Sequence, residues 1–201
     1  MSLPLACDAR LETIPRENYL PPLPPERVQA WRRRLGSHDR LRIGLVWSGN
    51  PNFGNDSNRS MPLRIMAPLF ELDATFVSLQ KDPRPADAAL LREHSEVIDL
   101  TADFSDFVDT AALVSCLDLV ISVDTGVAHL SATLGRPTWI LLSYVSDWRW
   151  LLDRDDSPWY SAVRLFRQDS SRDYATVVGR VRQELARMIA AFTPPFESAS
   201  Q

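Results

Sequence analysis

LVISVDTGVAHLSATLGRPTWILL, residues 119–142, decides the fold. Leu119–Val123 is a short apolar run of the kind that forms a buried strand. Gly126–Leu134 reads as a helix, and Thr138–Leu142 is a second apolar run. Two strands separated by a helix lie parallel through a right-handed crossover. The same alternation continues outward on both sides. Upstream, apolar runs at Arg42–Trp47, Thr75–Leu79 and Val97–Leu100 predict three more strands; downstream, Val163–Phe166 predicts a sixth. Helical stretches are expected at Leu63–Leu72, Ala86–His94, Asp106–Cys116 and Tyr174–Phe192. Strands alternating with helices specify an α/β, Rossmann-like three-layer sandwich with a mainly parallel sheet of about six strands. The connection between the fifth and sixth strands is long and carries no helical pattern.

The flanks are simpler. Six prolines between Pro4 and Pro25 make residues 1–25 a proline-rich arm without regular structure. Residues 26–40 read as a short amphipathic helix, Glu26–Leu35, and a linker; Pro25 suits its first turn and Gly36 its end. The folded domain is expected over residues 41–192, and 193–201 is a polar tail. Arg32, Arg33 and Arg34 make a basic run, read first as a solvated helix face.

Composition narrows the function. The 201 residues carry a net charge of −4, where a general polyanion binder would be basic, so no nucleic-acid partner is expected. No apolar run approaches the roughly 20 residues of a membrane-spanning helix, and no signal peptide is visible. Cys7 and Cys116 are too few for a disulfide scaffold or a zinc site. A cytoplasmic protein with no bound metal or cofactor is the expectation. Lys81 is the single lysine among 22 basic residues.

In such sheets ligands bind beyond the carboxyl ends of the strands, near the point where the strand order reverses. The loops there are polar. Ser48, Gly49 and Asn50 open the first, residues 48–60; Gln80 and Lys81 follow the second strand; Asp124, Thr125, Gly126 and His129 follow the fourth. A strand-to-helix turn presents free N–H groups and a positive dipole end, which suits phosphate. The same residues also make an ordinary N-cap with a packed His129. Lys81 at a strand end can neutralise a diphosphate. Phe104 and Phe107 stand near the same edge, where a base could pack, although core packing explains them as well. Trp148, Trp150 and Trp159 fall in the loop after strand five, either anchoring it or walling a cleft. Neither G-x-G-x-x-G after strand one nor G-x-x-x-x-G-K-[ST] is present, which argues against a nicotinamide dehydrogenase and a P-loop NTPase.

Read together, GLVWSGNPN, RSMPL, FVSLQKD, DFVDTAALVSCLDLVISVDTGVAHLSATLGRPTWILL, DWRW, DSPWY and RLFRQ resemble the C-terminal glycosyltransferase-like part of bacterial tetratricopeptide-repeat proteins. That part is similar to the donor-binding half of GT-B heptosyltransferases and, more distantly, O-GlcNAc transferases. The resemblance implies a nucleotide-sugar donor and sugar transfer with inversion to an unknown acceptor, protein or glycan. It implies diphosphate contacts from Asp124, Thr125, Gly126 and His129, with Ser48, Gly49, Asn50 and Gln80 around them. Lys81 is implied as the catalytic group that stabilises the leaving diphosphate, with Phe104 and Phe107 on the base side. A GT-B enzyme needs two such domains, so the chain is expected to be a fragment of a longer protein whose repeats, acceptor side and general base lie elsewhere. The competing expectation is a non-catalytic module that keeps the fold without turnover; half of a GT-B epimerase ranks behind both.

Overall fold

The computed structural model describes residues 10–14 and 20–195. Most of the expected arm, Cys7 and the end of the tail lie outside the described residues. The elements are helix α1 (Pro25–Leu35), strand β1 (Arg42–Val46), helices α2 (Asp56–Arg59) and α3 (Leu63–Met66), β2 (Thr75–Ser78), α4 (Pro85–Glu93), β3 (Val97–Asp99), α5 (Phe107–Val114), β4 (Leu119–Val123), α6 (Gly126–Thr133), β5 (Thr138–Leu142), β6 (Val163–Arg167) and α7 (Tyr174–Ala190).

The six strands form one sheet in the order β3-β2-β1-β4-β5-β6. Every neighbouring pair is parallel. The chain runs from β1 outward to β3, then returns to β4 beside β1 and runs the other way. The strand order therefore reverses between β1 and β4, as a doubly wound sheet requires.

Strand alternation divides the core between the two faces. Ile43, Leu45, Phe76, Leu119, Ile121, Val123 and Leu141 pack on one side against α3 and α7. Val46, Val77 and Val120 pack on the other with α1 and α5, and Ile140, Leu142 and Leu165 with α6. Helix α7 is held by its spacing: Tyr174, Val177, Val178, Val181 and Leu185 fall on one stripe and are all buried. Each such aliphatic side chain contributes about 1.5–3 kcal/mol by leaving water. Helix α1 shares this core through Trp31 and Leu35. It is tied to α5 by Arg27, which donates to Asp106 at 2.7 Å. Asp106 is itself the N-cap of α5, accepting from Val108 and Asp109.

The elements depart from the sequence pattern in few places, each with a local cause. The expected helix Leu63–Leu72 is α-helical only to Met66; Pro68 lacks the N–H that would extend the ladder, and Ala67–Leu69 is a 3-10 turn. Within the arm, Leu11–Thr13 is a single 3-10 turn closed by reciprocal Arg10–Thr13 hydrogen bonds. The polar first loop holds the one-turn helix α2. As expected, the β5–β6 connection has no α-helix; it contains the 3-10 turn Trp148–Trp150, pinned by the fully buried Trp150.

Candidate functional site

Where the strand order reverses, the carboxyl ends of β1, β2 and β4 open into a cleft of about 500 Å3. It brings together Ser48, Gly49, Asn50, Gln80, Lys81, Phe107, Thr125 and Gly126. Asp124, His129 and Phe104 do not line it.

The β4–α6 turn is built by capping. Thr125 has an extended backbone and its Oγ1 accepts from the Ala128 amide. Ser122 Oγ donates to the Val123 carbonyl at 2.6 Å, so the 3.0 Å contact between the Ser122 and Thr125 hydroxyls is donated by Thr125. The Thr125 side chain is thus engaged at both ends as a cap. The Gly126 and Val127 amides of the first turn have no partner among the described residues and face the cleft. Phe107 is 60% exposed and its ring reaches over Gly126.

Across the cleft, Gln80 is a latch and not a free ligand group. Its buried Oε1 accepts from the Trp47 amide at 3.2 Å and the Ser48 amide at 2.9 Å. Its Nε2 donates to the Lys81 carbonyl at 3.4 Å. The Gly49 amide donates to Ser60 Oγ at 2.8 Å, and the Asn50 side chain closes an Asx turn onto Asn52. Lys81 is exposed, and its Nζ rests 3.5 Å from the Phe104 carbonyl.

Asp124 stands behind the cleft, where its backbone carbonyl accepts from Arg59. Its carboxylate lies on the far side of the turn, 3.6 Å from His129 Nε2. Burial pushes its pKa up, but hydrogen bonding from His129 and Trp150 and the charges of His129 and Arg59 outweigh this and hold it below the usual carboxylate range. The Trp150 indole N–H acts on it at less than full hydrogen-bond geometry. His129 stacks on Trp150 at 5.2 Å and shares a 2.9 Å hydrogen bond with the Tyr160 hydroxyl. It lines a second, aromatic cleft of about 460 Å3 with Trp148, Arg149, Trp159 and Tyr160. The His129 ring lies on the face of α6 that meets Trp150 and Tyr160, while Thr125 and Gly126 line the β1–β4 cleft, so the D-T-G-x-x-H segment splits between two clefts. Phe104 is buried against Trp31, edge to face at 5.6 Å. Of the two phenylalanines only Phe107 stands at the cleft.

Sequence reading missed the layer beneath the cleft. Arg59 donates from Nη1 to the Asp124 carbonyl at 3.2 Å, and its Cζ sits 4.3 Å over the Phe53 ring. Buried Asp56 accepts from Ser60 Oγ at 2.7 Å and pairs with Arg84. Buried Asp87 accepts from Trp47 Nε1 at 3.1 Å and from the Leu63 amide at 2.9 Å. A one-turn helix carries no periodicity, so N-D-S-N-R-S reads only as polar loop. Among the described residues, no group of three or more His, Cys, Asp or Glu is placed to hold a metal.

With this geometry in place, comparison with known proteins is specific. Residues 83–171 match the family model of glycosyltransferase family 9 (heptosyltransferase). The match contains the β4–α6 turn but stops short of the Ser48–Asn50 loop, Gln80 and Lys81. The fold is that of an ADP-heptose lipopolysaccharide heptosyltransferase II from E. coli, at a TM-score of 0.58 and 14% identity, covering 84% of this chain and 53% of that one. It is also that of a family 9 glycosyl transferase from Veillonella parvula, at a TM-score of 0.53 and 15% identity, covering 84% of this chain and 51% of the other. Protein FlbA of Caulobacter vibrioides is 27% identical over 192 residues, which is 90% of this chain and 31% of FlbA. The chain thus spans about half the length of its solved relatives and less than a third of this curated one. No helix among the described residues is long and apolar enough to cross a membrane.

Proposed function

We propose that this chain is the donor-binding half of an inverting glycosyltransferase and takes a nucleoside-diphosphate sugar in the β1–β4 cleft. The observation that carries the reading is the meeting of unpartnered Gly126 and Val127 amides with the single lysine in one crevice at the strand reversal. Amides at a helix start and an ammonium group both favour a diphosphate. The family 9 match supports the same donor class, as does the likeness to an E. coli heptosyltransferase named for ADP-heptose. Phe107 is the group placed to stack on a base.

In the reaction an acceptor hydroxyl attacks the anomeric carbon of the sugar as the bond from that carbon to the diphosphate oxygen breaks. The bonding electrons pass to the diphosphate and the hydroxyl proton to a base outside this chain. Charge therefore grows on the leaving oxygen, where the α6 amides and Lys81 stabilise it. Such preorganised donors are worth about 2.7–4 kcal/mol each in mutational series. Thr125 fixes the amides by capping α6, and Gln80 fixes the opposite loop. In this reading the acceptor side, the base and tetratricopeptide repeats belong to the same longer, cytoplasmic chain.

A second reading rests on a different observation. Tyr144, Val145, Trp148 and Leu152, in the β5–β6 connection, are 50–78% exposed. Large apolar side chains clustered in one connection suit a docking surface, as in a non-catalytic module. Thermal shift with UDP, ADP, GDP and their sugar conjugates separates the two. A ligand at 100 times its dissociation constant adds about 2.7 kcal/mol to stability, which a melting curve resolves. A full-length protein that responds to none of them leaves the docking module as the better reading.

A further inference from the structure

The loops that form the cleft are held in register by one half-buried cation that does not itself line it. The Arg59 guanidinium lies between the first loop and the β4–α6 turn. Nη1 donates to the Asp124 carbonyl, one residue before Thr125. Nη2 packs so closely on Gly49 that a Cβ there would stand 2.6 Å from it. The Phe53 ring covers the guanidinium face. The backbone beneath Arg59 is braced from α7, where the Tyr174 hydroxyl donates to the Asn58 and Arg59 carbonyls at 3.3 and 3.2 Å.

The aim of the side chain shows what it serves. A simple ion pair with Asp56 would put Nε on that carboxylate. Instead Nε stands 3.6 Å from Asp56 Oδ1 and makes no hydrogen bond, while Asp56 is taken by Ser60 and Arg84. Ser60 in turn holds the Gly49 amide. Arg59 keeps only a long ion pair to Asp56 and gives its hydrogen bond to a carbonyl 65 residues away.

We infer that Arg59 is the positioning residue of this cleft: its planar fork clamps the Ser48–Asn50 loop to the β4–α6 turn, so that the loop walls the cleft opposite the unpartnered Gly126 and Val127 amides that face the anion. That the anion is a nucleoside diphosphate rests on the proposed function; the clamp itself does not. Lysine keeps the charge but cannot span Gly49 and the Asp124 carbonyl together. Geometry and charge are therefore separable by substitution.

The test uses Arg59→Lys and Arg59→Met in the full chain, with two readouts. The first is amide hydrogen exchange without ligand. Exchange is expected to rise together at Ser48 and Gly49 and at Ala128 and His129, the hydrogen-bonded amides of the two segments, in both variants, with the β1 and β4 strand amides as protected as in the parent. The second is affinity for UDP, ADP and GDP, expected to fall roughly tenfold or more in both variants, as loss of a charge-assisted hydrogen bond implies. Exchange that rises in one segment only, in neither, or equally in the strands overturns the clamp. So does a lysine variant that matches the parent in both readouts. If the parent binds no nucleotide, the diphosphate reading fails, and the exchange data still decide the clamp.

Discussion

Replacing Gln80 with leucine removes an acceptor that serves two amides at once. The Trp47 and Ser48 N–H groups both point at Gln80 Oε1, at 3.2 and 2.9 Å, and both bonds are buried. A buried donor left without a partner costs about 1–3 kcal/mol, so two together cost roughly 4 kcal/mol. Leucine has nearly the same volume, so little of this is cavity. For a chain of this length each kcal/mol lowers the melting temperature by about 2–4 °C, so a drop of roughly 8–16 °C is expected. Urea titration followed by tryptophan fluorescence gives the free energy directly, with an unchanged dependence on denaturant. Gln80→Glu keeps an acceptor and loses only the 3.4 Å bond to the Lys81 carbonyl, so it should fall between the parent and leucine. A leucine variant within about 0.5 kcal/mol of the parent, the range of ordinary surface changes, would refute the latch.

Asp87→Ala strands Trp47 Nε1 and the Leu63 amide in the same way; a loss of about 2–4 kcal/mol is expected in the urea titration, and less than about 1 would mean that the two donors find other partners. Asp124 has a depressed pKa in the folded protein, so its contribution is present above the unfolded carboxylate value and lost as pH falls through the folded one. The stability difference between the parent and Asp124→Asn should therefore shrink as pH falls below about pH 4; a difference that grows in acid contradicts the assignment. Phe107→Ala, at a side chain 60% exposed, should leave the melting temperature nearly unchanged while weakening nucleotide binding. Loss of a base stack is worth about 1–3 kcal/mol, and unchanged calorimetric affinity would remove Phe107 from the base side.

The sheet was legible because it depends on strong local signals. Each apolar run from Arg42 to Arg167 became a strand within a residue or two of its expected ends, since a doubly wound sheet buries its strands on both faces. Loop placement at the reversal followed from strand order, so Ser48–Asn50, Lys81, Phe107, Thr125 and Gly126 could be brought to one cleft from the pattern alone. Side-chain direction could not. His129 and Thr125 share a motif in sequence, yet the helix turns one toward Tyr160 and leaves the other at the cleft. Gln80 and Thr125 look like free polar groups until their hydrogen bonds are seen. Arg59, Asp56 and Asp87 act across 24 to 65 residues of sequence, and nothing local to them records the partner.

The central claim is that the β1–β4 cleft binds the diphosphate of a sugar nucleotide. Calorimetric titration of UDP, ADP and GDP into the parent and into Lys81→Ala, Thr125→Ala tests it directly, with folding of the double variant checked by its far-ultraviolet spectrum. One diphosphate should bind the parent and lose most of its affinity in the variant, naming the base in the same experiment. Equal affinity for parent and variant would move the ligand away from this cleft, and no binding by the full-length protein would contradict the donor-domain account.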